Sequence, residues 1–169
     1  MPEPIEHTKH RNWIETILRY IPGFRGYLEK EYRRDSDELQ RQWLADRLQR
    51  SKRAMDNISG LLAEAGQLDA LPRLDRIRSQ VDHLIARIRG AMQGYSGFFD
   101  LVRVDEALLD KLYDFDVRLI GVVDDLAATI ETLADRHEGV ESVLPTIEQK
   151  IENLQDLWDE RDDLLQGLG

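Results

Sequence analysis

Apolar residues recur every three or four positions along most of this chain, and no useful length alternates with a period of two. Such steps average near 3.5 residues, the spacing of helices packed with a left-handed twist. The pattern predicts an all-α protein without a sheet. Residues 8–20 form a short amphipathic stretch carrying Trp13, Ile14, Ile17 and Leu18, with Ile21 just beyond, stopped by Pro22-Gly23. A long helix is predicted over 27–65, with Leu48, Met55, Ile58, Leu62 and Ala65 in its later half and Gly66 as its cap. At ~1.5 Å per residue it would be about 58 Å long. A bend is expected at Asp35-Ser36, whose side chains compete for backbone hydrogen bonds.

Three further helices follow. Residues 72–92 place Leu74, Ile77, Val81, Leu84, Ile88 and Ala91 in alternating steps of three and four, with Pro72 in the first turn. Residues 105–137 begin at Asp105, a good N-cap, and carry Leu108, Leu112, Phe115, Leu119, Val122, Leu126, Ile130 and Leu133. Residues 140–166 direct Val140, Leu144, Ile147, Ile151, Leu154, Trp158 and Leu165 inward, and Pro145 suggests ordered helix from near Leu144. Short links make neighbouring helices antiparallel. The expected architecture is one domain, 1–169: an up-down-up-down antiparallel four-helix bundle with left-handed, heptad-like packing and an additional short N-terminal helix.

Two loops repeat one motif. Gly23-Phe24-Arg25-Gly26-Tyr27 and Gly94-Tyr95-Ser96-Gly97-Phe98, followed by Phe99, each read glycine, aromatic, any residue, glycine, aromatic. Each precedes a long helix. In an up-down-up-down bundle those two helices start at one end, so both loops should meet at one pole. Phe24, Arg25, Tyr27, Arg33, Arg34, Tyr95, Ser96, Phe98 and Phe99 are the candidate binding residues there. The same residues serve equally as a packed cap over the first half of the long helix. The spacing is not that of a phosphate-binding loop.

Charge divides the chain. Residues 1–90 hold 17 Lys/Arg and 14 Asp/Glu, a balance of +3, whereas 91–169 hold 6 and 19, a balance of −13. The total is −10. A mildly basic helix pair packed against an acidic pair accounts for this, and an acidic docking face for a basic partner is the other reading. The acidic half argues against nucleic acid as a partner. The apolar runs are too short for a transmembrane segment, which needs ~20 residues, and 1–10 carry no signal-peptide pattern. Peripheral membrane contact stays open.

Cysteine is absent, which removes thiol catalysis and cysteine–metal sites and fits a reducing cytoplasm. A di-iron bundle needs Glu three residues before His, twice. His7, His10, His83 and His137 are preceded at that spacing by Pro4, His7, Gln80 and Ala134. His7 and His10 read as solvent-exposed residues of a frayed terminus. Asp159-Glu160-Arg161-Asp162-Asp163 reads as a solvated helix end. Asp114-Phe115-Asp116 and Asp124-Asp125 read the same way, since adjacent or alternate acids diverge on a helix. No catalytic constellation, metal site or cofactor site emerges.

The segment Ile21-Pro22-Gly23-Phe24-Arg25-Gly26-Tyr27, with Glu29-Lys30-Glu31 and Arg33-Arg34-Asp35, resembles a stretch of uncharacterised bacterial proteins of similar length, with which Gly94-Tyr95-Ser96-Gly97-Phe98-Phe99-Asp100 recurs. That resemblance implies a bacterial origin and no known activity. The sequence therefore leads to a cytoplasmic, non-enzymatic, acidic, coiled-coil-like protein that binds a protein partner or itself. The alternative is a small-ligand or lipid-headgroup binder at the aromatic pole.

Overall fold

The computed structural model describes residues 4–91, 96–99, 105–136 and 139–167, with side chains from His10 onward and, in the second aromatic loop, at Phe98 and Phe99. Among these residues 86% are helical and none is in a strand. The helices are α1 (Pro4–Leu18), α2 (Lys30–Glu64), α3 (Leu71–Gly90), α4 (Ser96–Phe99), α5 (Glu106–Ala134) and α6 (Val140–Leu165). A 3₁₀ turn over Leu68–Ala70 leads into α3.

Local chemistry sets the boundaries. Gly23 and Gly26 have φ of +88° and +85°, a left-handed backbone, and Glu29 is extended. The long helix therefore starts at Lys30 and leaves Tyr27 in the loop, rather than beginning at 27. It then runs without interruption through Asp35-Ser36. The Ser36 hydroxyl accepts from the Arg25 N–H at 3.2 Å, and Asp37 binds Arg41 one turn on, so these side chains are turned away from their own backbone. Gly66 (φ +73°) ends α2, with the Gln67 N–H donating to the Leu62 carbonyl at 2.9 Å. Asp105 caps α5 by accepting from the Ala107 N–H at 2.9 Å. Pro145 lies inside α6, which already begins at Val140 because a proline this close to the start removes only one backbone bond.

Cross-helix pairs give the relative directions. Arg41 meets the Ile88 and Arg89 carbonyls, Lys52 meets Asp82, and Arg78 meets Asp56, so α2 and α3 run oppositely. Asp116–Arg161 and Asp125–Lys150 give the same relation for α5 and α6. Gln40–Asp116 and Arg47–Glu131 show α2 and α5 running together. Arg73–Glu148 and Arg87–Asp159 do so for α3 and α6.

The apolar faces meet in one core containing Leu48, Met55, Ile77, Leu84, Leu119, Ile130, Ile151 and Leu154. Val122, expected inside, is half-buried. The inner stripe of α5 runs through Leu112, Tyr113, Asp116, Leu119, Ile120 and Val123, which turns Phe115 and Val122 to the flanks. No helix among the described residues is long and apolar enough to cross a membrane.

Candidate functional site

Tyr27 of the first aromatic loop meets Phe99, the residue that follows the second motif. Tyr27 stacks on Phe99 with ring centroids 6.3 Å apart and planes 12° from parallel. Phe24 packs edge-on against Tyr27, and Phe98 against Phe99. Tyr113 of α5 lies beneath Tyr27, and Trp13 of α1 stacks on Tyr113 at 5.7 Å. Gly26 is required here by contact as well as by φ: a Cβ would overlap the Tyr113 hydroxyl and come within 3.2 Å of Ile14 Cδ1. The Tyr113 hydroxyl in turn accepts the Tyr27 N–H at 2.7 Å, which locks the loop onto α5.

Beneath the aromatics lies a buried chain of charge. The Tyr27 hydroxyl donates to Asp116 Oδ2. Arg161 Nε donates to Asp116 Oδ1 at 2.7 Å, and Arg161 Nη2 to Asp37 Oδ1 at 2.8 Å. Arg41 Nε donates to Asp37 Oδ2 at 2.8 Å, and its Nη1 reaches the Ile88 and Arg89 carbonyls at 3.2 and 3.0 Å. Those carbonyls end α3, where a cation is favoured by the helix dipole. Gln40 Nε2 donates to the Asp116 carbonyl at 3.2 Å. Arg161, Asp116 and Asp37 have no exposed surface at all. Two carboxylates and two guanidiniums leave this interior neutral, as burial of charge demands.

Protonation follows from that burial. Desolvation raises the Asp116 carboxyl above its ordinary range, opposed by Arg161. It raises the Tyr27 phenol well above its ordinary value, with the Asp116 charge adding to the effect. Tyr113 is raised for the same first reason, partly offset by its bonds to the Tyr27 and Leu28 backbone. The two phenols therefore stay protonated in the folded protein at neutral pH, the Tyr27 hydroxyl donating to Asp116 and the Tyr113 hydroxyl accepting from the Tyr27 N–H.

Of the sequence-predicted residues, Phe24, Tyr27, Phe98 and Phe99 are buried in this pole. Arg33 is buried too, and its Nε donates to the Tyr27 carbonyl at 2.8 Å. Arg25 is exposed with its guanidinium 4.7 Å from the Tyr32 ring centroid. Arg34 is exposed and lines an open cavity of about 620 Å³ with Glu29, Lys30, Glu31 and Phe99. Tyr95, and the side chain of Ser96, lie outside the described residues.

Three expectations are corrected. His10 is buried rather than solvent-exposed, bonded to Asp110 and packed between Trp13 and Tyr113. The acidic cluster near the end of α6 is no uniformly solvated end, because Arg161 within it is fully buried. Asp114 and Asp116 do diverge, but Asp116 points into the core. A signal for these was present: Asp116 stands between Leu112 and Leu119, and Arg161 between Trp158 and Leu165, in the apolar register itself. A charge on a core stripe needs an opposite charge on a facing one. His7 has no described side chain, and His137 lies outside the described residues.

No family model, curated protein or solved structure matches the chain.

Proposed function

We propose that the protein is an up-down-up-down antiparallel four-helix bundle that acts without catalysis, in the cytoplasm, by binding another protein or itself. The observation that supports this reading is the mutual engagement of the charged groups at the pole. Tyr27, Asp116, Arg161, Asp37 and Arg41 bond to one another or to backbone, and the Phe24, Tyr27 and Phe99 rings above them are buried. Groups so engaged hold helices together and have no face left to meet a substrate. The test is affinity purification of the tagged chain from its source cells, with cross-linking and mass spectrometry, alongside sedimentation equilibrium of the purified protein. A stoichiometric partner or a discrete oligomer is the expected result. A monomer that captures no protein at all overturns the reading.

The second reading, a small-ligand or headgroup site, is favoured by the open 620 Å³ cavity beside Lys30 and Phe99. It predicts that glycerol phosphate raises the melting temperature of the native chain and not that of Lys30→Gln.

A further inference from the structure

The seams between neighbouring helices are not finished alike. At the surface, α2 and α3 are joined by Lys52–Asp82, Arg78–Asp56 and Arg89–Asp46. Arg73–Glu148 and Arg87–Asp159 join α3 to α6. Arg47 joins α2 to both Asp124 and Glu131 of α5. Across the α5–α6 seam, the surface pair among the described residues is Lys150–Asp125. Asp156 and Glu160 line this seam and are exposed, and no cation pairs with them among the described residues.

The same seam is grooved at its surface, as the α3–α6 seam is beside His83, Ala86 and Trp158. One cavity of about 510 Å³ has Gly121, Val122 and Leu157 among its lining. A second of about 280 Å³ continues along it past Ala128, Thr132, Leu133 and Val143. Together they follow α5 from Arg118 to Arg136, about 27 Å at ~1.5 Å per residue. That is the length of a helix of about 18 residues. Glycine in mid-helix is unfavourable, yet a Cβ at Gly121 would meet nothing within 4 Å. Packing inside the molecule therefore does not require the glycine, and its bare backbone leaves room in the groove for an outside chain. Charge selects the occupant. From Glu106 to Ala134, α5 carries seven carboxylates and two cations, and α6 from Val140 to Leu165 carries eight and two. Their combined balance is −11, only partly met by Arg47, Arg73 and Arg87.

We propose that the α5–α6 seam is a docking groove for a basic amphipathic helix of a partner protein. Apolar side chains of that helix enter beside Gly121, Val122 and Ala128, and its lysines or arginines meet Asp156 and Glu160. Asp156 and Glu160 line the first cavity with Arg118 and Gly121, and Lys150 holds Asp125 midway along the seam, so the basic residues belong at the Asp156–Glu160 end of the bound helix. The proposal rests on the protein-binding reading above and narrows it to one face and one partner chemistry.

The test uses the full chain and a fluorescein-labelled amphipathic peptide of leucine and lysine, about 18 residues long, followed by anisotropy at physiological salt. A leucine–glutamate peptide of the same pattern serves as control. Gly121→Trp should fill the groove and weaken binding about tenfold or more, with the circular-dichroism melt unchanged. Asp156→Lys with Glu160→Lys should weaken it comparably, while Glu64→Lys with Asp69→Lys, equal in charge and away from the seam, should leave it within about twofold. Equal loss in both charge pairs, or no effect of Gly121→Trp, overturns the groove, because the peptide would then sense only overall charge. A native dimer dissolved by Gly121→Trp also overturns it, by assigning the seam to a second copy. A cellular partner whose cross-links and yield ignore these variants removes the groove but leaves the protein-binding reading standing.

Discussion

At the residue scale, the energetics of this protein concentrate on Arg161. Its guanidinium holds two carboxylates that have no access to water. Removing one partner of a buried pair costs about 3–5 kcal/mol, because the other charge is left stranded. Arg161→Met strands Asp116 and leaves Asp37 to Arg41 alone, and should fall in that range in urea unfolding. Tyr27→Phe removes a single hydroxyl and should cost about 1–2 kcal/mol. Alkaline pH separates the phenols. Burial raises the Tyr27 and Tyr113 ionisations above that of the unfolded chain, so the folded state keeps protons that the unfolded state loses. Stability is then fully present below about pH 10 and falls as pH rises beyond it. Absorbance at 295 nm should show these two tyrosines ionising only as the protein unfolds, and Tyr27→Phe should unfold less steeply with alkali. Smooth titration of all five tyrosines before unfolding would refute the burial argument.

At the scale of elements, the first aromatic loop is decided by two glycines that are not equivalent. Both are left-handed, but a Cβ at Gly23 would sit 3.7 Å from Leu39 Cδ1, an ordinary contact. At Gly26 it would strike Tyr113. Gly23→Ala should therefore cost about 1–2 kcal/mol from backbone strain alone. Gly26→Ala adds overpacking of about 1–3 kcal/mol and should displace the Tyr27–Tyr113 bond. Thermal denaturation of the two variants ranks them, and equal losses would show that the loop gives way without strain. Phe98 belongs to the same cap and is 8% exposed. Phe98→Ala should lower stability by about 3–5 kcal/mol if the cap is structural. An unchanged melting temperature would move the cap from structure to binding.

At the scale of the whole molecule, charge asymmetry is partly internal bonding. The arginines of α2 and α3 reach the carboxylates of α5 and α6 through Arg47, Arg73 and Arg87. Such surface pairs are screened by salt. Stability should fall modestly between low and molar sodium chloride, and Arg47→Met, costing about 1 kcal/mol, should reduce that slope. A salt response unaltered by Arg47→Met would show that the pair contributes nothing. The acidic seam left on the other side of α5 then becomes the part of the surface charge that packing does not consume.

Helical class, the approximate extent of each helix and most of the core were legible in the chain, because helix burial is written in steps of three and four and needs no knowledge of neighbours. Leu119, Leu154 and Ile151 followed from that period alone. The Gly66 cap and the Asp105 cap were equally legible, since each acts on backbone within a few residues. The approach of Tyr27 to Phe99 followed from direction: helices that run together bring the residues that precede them to one end. Only the tertiary structure decided the rest. Asp37, Asp116 and Arg161 are separated by tens of residues, and nothing local says which charges face one another. His10 became a buried group because Tyr113 and Asp110 stand where α1 docks. A charged side chain reads as surface until an opposite charge from another helix makes its burial affordable, and that pairing exists only once the helices have packed.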